Sequence, residues 1–125
     1  MAVQKGVESV SQVAGGAIPK YAPVKLSAAN TVVVPTADDD EIVGVAQIDA
    51  ASGQEVSVAI AGQVIMTAGA NGVTLDDLVG LNTADPTKVD TYNAANNDQI
   101  IGRAMSTAAA GKPAEVLLSL NSKTA

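Results

Sequence analysis

The chain reads as an all-β domain: a small β-sandwich or β-barrel of short strands, with an internally duplicated hairpin motif and an extended N-terminal arm. Three observations predict this. Val56, Val58 and Ile60 alternate with Ser57 and Ala59, the period of two expected of a strand with one buried face. Clusters of Gly, Pro, Asn and Asp interrupt the chain at intervals of roughly 8–12 residues, the turn spacing of small sandwiches and barrels. Finally, the strand–turn–strand pattern of Glu41–Gly62 returns near the C-terminus.

Composition narrows the possibilities. At 125 residues the chain is most simply one domain, and it buries roughly two-thirds of its unfolded surface. Phe and Trp are absent, and Tyr21 and Tyr92 are the only aromatic residues. The core must therefore be built from Val, Ile, Leu and Ala. Such small side chains suit thin β-layers, or surfaces completed by another subunit. There is no histidine, no cysteine and no cofactor motif, so disulfides and thiolate metal sites are excluded and no cofactor is expected. With 13 acidic and 7 basic residues the net charge is −6, which repels phosphate backbones. No Lys/Arg cluster offsets this, so no nucleic-acid partner is expected. The N-terminus lacks an apolar run of signal-peptide length, and no stretch nears the roughly 20 apolar residues of a membrane helix. We expect no membrane partner and synthesis in the cytoplasm.

Residues 1–16 form the arm and 17–125 the β-domain. In the arm, Val3, Val7, Val10 and Val13 recur every three or four residues, a spacing compatible with a weakly amphipathic helix. Val is a modest helix former and no cap is visible. Two readings stay open: a frayed terminus, or a segment that orders on a partner. Gly15-Gly16 ends it as a hinge. Ile18 to Leu26 is extended, with two prolines that confine it to an edge or a strand start. Thr31 to Val34 is a β-branched strand stopped by Pro35. Strands follow at Ile42–Ile48, Val56–Ile60 and Gln63–Thr67. Thr74 to Leu78 has the makings of one helical turn, with Thr74 as cap and Asp77 three residues on. Leu78–Leu81, Lys88–Tyr92 and Ile100–Met105 are strands, and Val116, Leu118 and Leu120 alternate to close the fold.

Two stretches repeat. Ile42-Val43-Gly44-Val45-Ala46 matches Ile100-Ile101-Gly102-Arg103-Ala104 at an offset of 58 (102 − 44). Glu55–Ile60 matches Glu115–Leu120 at an offset of 60 (115 − 55), which implies two extra residues in the second loop. Pro23–Ser27 lines up with Leu78–Asn82. The halves are therefore about 21–61 and 76–120. Gly44 and Gly102 sit inside strands, where glycine marks a bulge or a close backbone approach.

Few residues suggest a site. The run Asp38-Asp39-Asp40-Glu41 has the carboxylates a hard cation requires. Its counterpart is Asn96-Asn97-Asp98-Gln99, which keeps the turn-forming shapes and loses most of the charge, so a turn is the better reading. Asp76-Asp77 near that run offers no more than a weak acid/base pair. Ser52-Gly53 is not a nucleophile elbow, since the flanking pattern and the histidine are missing. No metal or catalytic residue is assigned. Arg103 takes the place of Val45 in the repeat. It suits a subunit seam, where Arg is enriched, or plain exposure, and Tyr21 is the second candidate for such an interface.

Gly44-Val45-Ala46, Glu55-Val56-Ser57-Val58 and Ala61-Gly62, followed by Ile101-Gly102-Arg103-Ala104 and Val116-Leu117-Leu118, together resemble the capsid decoration (cement) proteins of tailed bacteriophages. The resemblance covers about residues 17–120. It implies a structural virion protein without an active site. Such a protein sits on the outside of the expanded capsid, often as a trimer, and clamps neighbouring major capsid proteins. The N-terminal segment would then order on the shell, which makes Val3, Val7, Val10 and Val13 candidate capsid contacts. The alternative is a head-fibre base or an adhesive domain for host glycans. Glycan-binding domains usually display aromatic platforms, and only two tyrosines are present.

Overall fold

Hydrogen bonding joins the strands into one sheet in a computed structural model that describes residues 5–37, 40–93, 95 and 99–120. Among the described residues there are nine strands and no helix. They are β1 (Lys5–Ala14), β2 (Pro23–Ala28), β3 (Thr31–Val33), β4 (Gly44–Ala46), β5 (Glu55–Thr67), β6 (Leu78–Leu81), β7 (Val89–Thr91), β8 (Gly102–Ala104) and β9 (Pro113–Leu118). The class is all-β.

Two helical expectations are overturned. The N-terminal segment is a strand: β1 runs antiparallel along β5 from Lys5↔Gln63 to Val13↔Glu55, with irregular register around Glu8. Its β-branched valines favour a pleated surface, and β5 offers an edge that needs a partner. Thr74 to Asp77 is a β-turn, closed by the Asp77 N–H donating to the Thr74 carbonyl at 3.0 Å. Asp76 has a φ of 75° there, a left-handed conformation that stops a helix from starting.

The pairings run β1–β3–β2–β4–β5, and β5 pairs back to β1. A second series runs β5–β9–β8–β6–β7, and a parallel bridge between Ala68 and Val89 returns it to the end of β5. The two circuits share β5, the first along Glu55–Gln63 and the second along Gln63–Thr67, so that Gln63 is paired in both.

Register shows how closely the circuits match. Val45↔Ala59 and Ala46↔Val58 in the first correspond to Arg103↔Leu117 and Ala104↔Val116 in the second. The offset is 58 for both members of each pair (117 − 59 = 58). The turn agrees, since Gln54 N–H donates to Ala51 O and Lys112 N–H to Ala109 O, both at 3.0 Å. The expected two-residue gain in the second loop is therefore absent. Val58, not Val56, is the counterpart of Val116, and alternating valines make either register look plausible in a sequence.

The equivalence also reaches into the N-terminal segment. Val10↔Val58 and Val13↔Glu55 in the β1–β5 pair correspond to Val64↔Val116 and Thr67↔Pro113 in the β5–β9 pair. Hence β1 stands to the first half as the end of β5 stands to the second, at an offset of 54 (64 − 10). Ile18 and Ala50 form a bridge, as do Val73 and Ala108. Leu26↔Val32 corresponds to Leu81↔Val89.

The interior follows the pairing. One buried cluster holds Ala14, Ile18, Ala22, Val24, Val32, Ala46, Ala50, Val56 and Val58. All but Ala22 have counterparts in the second cluster, among them Ala68, Val73, Val79, Val89, Ala104, Ala108, Ala114 and Val116. That second cluster is larger because it also spans the seam between the halves, where Ile42, Val45 and Ala59 are buried with Val64, Met66 and Leu81. Across the seam the Gln99 side chain holds the backbone of Ile42 in both directions. It accepts from the N–H at 2.6 Å and donates to the carbonyl at 2.9 Å. Both partners are buried, so the pair satisfies a backbone unit that no strand reaches.

Gly44 and Gly102 mark close approaches. A Cβ at Gly102 would overlap the Leu117 carbonyl, and one at Gly44 would overlap the Val58 side chain and the Ala59 carbonyl. A carbonyl in a paired strand cannot move aside. Gly102→Ala is expected to destabilise the fold by about 2 kcal/mol or more, within the range for overpacking. Gly16→Ala, with nothing within 4 Å of the added carbon, should be neutral or slightly stabilising. Urea denaturation of the two variants compares them, and equal midpoints would contradict the close-approach reading.

Candidate functional site

The acidic turn is a structural closure. Asp38 and Asp39, with Asn96, Asn97 and Asp98 of the corresponding turn, lie outside the described residues. Asp40 accepts from Lys25 Nζ at 2.9 Å and from the backbone N–H groups of Thr36 and Ala37 at 2.8 and 3.1 Å. One carboxylate thus ties β2 to the loop that leads into β4. Burial pushes the Asp40 carboxyl up. The hydrogen bonds from Lys25, Thr36 and Ala37 and the Lys25 charge outweigh it and hold the group below the usual carboxylate range. Among the described residues no group of three His, Cys, Asp or Glu is placed to hold a metal ion.

Asp76 and Asp77 sit in the turn before β6. Arg103 reaches Asp76, donating to its carbonyl at 2.8 Å and to its carboxylate at 3.1 Å. Asp77 accepts from the Thr91 hydroxyl at 3.1 Å. The two carboxylates therefore serve separate partners. Tyr21 occupies the place in the first half that Asp76 occupies in the second. Both have positive φ, 69° and 75°, and their N–H groups donate to the carbonyls of Ala46 and Ala104. Lys20 Nζ lies 4.9 Å from the Tyr21 ring centre, a cation–π distance. Tyr21 and Arg103 thus belong to different halves, and the structure does not bring them together.

Of the arm valines, Val3 lies outside the described residues. Val7 packs against the larger core cluster, and Val10 and Val13 are exposed. Val10 shares a strand face with Gln12 and Ala14, and Val13 shares the other face with Ser9 and Ser11.

Two features were missed from the sequence. Asp90 is buried and accepts from the side chains of Asn71 and Asn82, while its Oδ1 has no partner. Both amides present donors, so the set anchors a carboxylate and does not resemble a cation cage. The second feature is an open hollow of about 550 Å³ lined by Gln12, Leu26, Ser27, Ala28, Ala29 and Asn30. Leu26 is 56% exposed there, and its counterpart Leu81 only 4%. Val10 is 39% exposed against 0% for Val64. The sequence signal exists, since Val10 and Ala14-Gly15 echo Val64 and Ala68-Gly69, but it is too short to notice before β1 is known to pair.

The Asp40 closure should respond to pH. Its folded pKa is depressed, so its contribution is fully present above the unfolded aspartate value of about 3.9 and is lost as pH falls through the lower folded value. Asp40→Asn is expected to cost about 1–2 kcal/mol at neutral pH, toward the low end for hydrogen bonds to a charged group because the pair is partly exposed to solvent. The gap between wild type and variant should close below about pH 4. Thermal melts across pH 2.5–7 measure it, and a gap that stays constant would rule out the charged closure.

Comparison with known proteins supplies a family and a shared fold. Among curated proteins, none matches the chain. Among solved structures, the N base of the bacteriophage phi29 head fibre protein gp8.5 shares the fold, with a TM-score of 0.68 and 14% identity. That match covers 95% of this chain and 98% of the other. The match of residues 33–120 to the phage cement protein family takes in every strand from β4 to β9, and with it the chain belongs to that family of phage virion structural proteins.

Proposed function

We propose that this virion protein binds the outer surface of the expanded capsid and stabilises the shell by bridging neighbouring major capsid proteins. It acts as a homo-oligomer, with a trimer favoured, and without catalysis. The observation that carries the reading is the cement-family match over residues 33–120. A lattice presents many identical sites, so an oligomer that engages several subunits multiplies a modest affinity per contact. Binding only the expanded lattice stabilises it by mass action. Co-sedimentation of purified protein with expanded and unexpanded capsids tests this. Binding to the expanded form alone is expected, and binding to neither would overturn the reading.

The N-terminal segment carrying Val3, Val7, Val10 and Val13 supplies the capsid contact. Removing it entirely would strip β1 from β5 and confuse binding with folding. Val13 is the better handle, because it is exposed and faces Glu55 across the strand pair. Val13→Lys places opposite charges side by side, which a sheet tolerates. It is expected to leave the melting temperature unchanged and to weaken binding to expanded capsids by about tenfold, or 1.4 kcal/mol. Unchanged capsid affinity would remove Val13 from the contact.

A second reading, a head-fibre base or adhesive domain for host glycans, draws support from the fold shared with the phi29 head-fibre base. Specific retention on a glycan array together with failure to sediment with capsids would favour it.

A further inference from the structure

The two halves of the chain are joined by a seam that pairs unlike surfaces. From the first half it takes Ile42, Val45 and Ala59; from the second it takes Val64, Met66 and Leu81. Each of these positions has a counterpart in the other half through the shared hydrogen-bond register. The counterparts of Ile42, Val45 and Ala59 are Ile100, Arg103 and Leu117. Those of Val64, Met66 and Leu81 are Val10, Gln12 and Leu26. All six lie at the surface or only partly buried. A head-to-tail joint between two similar units always leaves one unused copy of each surface, one at either end.

We propose that these two unused surfaces bind each other between copies of this chain. The Leu117 face of one copy enters the Leu26 hollow of the next, repeating the internal seam. The inference deepens the oligomeric part of the proposed function, and capsid binding is a separate property.

Three observations select a second copy as the occupant. The first is continuity, since the receiving face is equivalent to one that this chain already covers with its own Ile42, Val45 and Ala59. The second is shape, because the hollow beside Gln12 and Leu26 lies where Met66 and Leu81 are covered in the second half. The third is chemistry. In the internal seam Val45 and Met66 are both apolar and buried. In the external one their places are taken by Arg103 and Gln12. Gln12 Oε1 is buried without a partner, and Arg103, whose Nη1 donates to Asp76, keeps the donors of Nε and Nη2. An apolar pair in one seam is thus replaced by a donor and an acceptor in the other. This is the pattern expected of a contact that must exist in water before it forms.

A head-to-tail contact has a signature that a symmetric one lacks. Light scattering after gel filtration should give wild-type protein a mass of three or more copies. Leu26→Lys and Leu117→Lys each alter an exposed residue at one end, and either alone should reduce the mass to one copy. An equimolar mixture of the two variants should form a dimer, because each retains the surface that the other lost. Far-UV circular dichroism checks their strand content, and Leu26→Gln with Leu117→Gln replaces the pair if either lysine variant misfolds. A monomeric or dimeric wild type, a loss caused by only one substitution, or a mixture that stays monomeric would overturn the proposal. Capsid co-sedimentation of the same wild-type preparation separates the two claims. Assembly without capsid binding would sink the capsid-binding function alone, and capsid binding by a monomer would sink the seam and the oligomeric part of the proposed function while leaving capsid binding in place.

Discussion

Along β5 the backbone serves three other strands: β1 over Glu55–Gln63, β4 at Val58 and Ala59, and β9 over Gln63–Thr67. Among the described strands it alone belongs to both circuits. Gly62 lies where one set of partners gives way to the next. Its φ is 101°, and an added Cβ would overlap the Gly6 carbonyl of β1. Any other residue would be strained by the backbone and blocked by the neighbouring strand. This one position therefore lets a continuous strand leave the first circuit and enter the second. The circuits in turn leave few strand edges open to unwanted pairing.

The absence of Phe and Trp becomes intelligible once the interior is seen as two thin clusters. The fully buried positions are filled by valine, isoleucine, alanine and a single methionine, Met66. Each buried valine contributes about 1.5 kcal/mol or more, and many small contributions replace a few large ones. A circuit of five strands has little room between its walls, and glycine at positions 44 and 102 lets each strand lie close against its neighbour in the sheet. An aromatic ring would force them apart. The same economy explains why polar closures such as Asp40 with Lys25 and Gln99 with Ile42 tie down the loops between strands. Side chains this small cannot cover those loops.

Much of this was legible beforehand. Period-two alternation at Val56 to Ile60 identified β5, and the paired Gly-x-Ala segments identified β4 and β8. The offset of 55 linking Val24 to Val79 is the one the registers show. The failures have physical causes. Val7, Val10 and Val13 fit a helical spacing as well as a strand, and only the free edge of β5 decides between them. The hairpin register slipped by two because valines alternate, and a shift of two preserves the face on which every side chain lies. The open end at Leu26 and Gln12 could not be seen until β1 was recognised as a member of the repeat.

Differences between the copies are more informative than their likeness. Positions that keep their character, such as Ala14 and Ala68 or Val58 and Val116, serve the same interior in both halves. Positions that change character lie where the surroundings differ: Val45 is enclosed and Arg103 is in water, Met66 is enclosed and Gln12 borders a hollow. Leu26 and Leu117 are both large, apolar and exposed, and a single exposed leucine needs no explanation. Two at equivalent halves of a joint already made once inside the chain are better explained as a joint still to be made. A surface that joins copies head to tail places each new contact beside an occupied one.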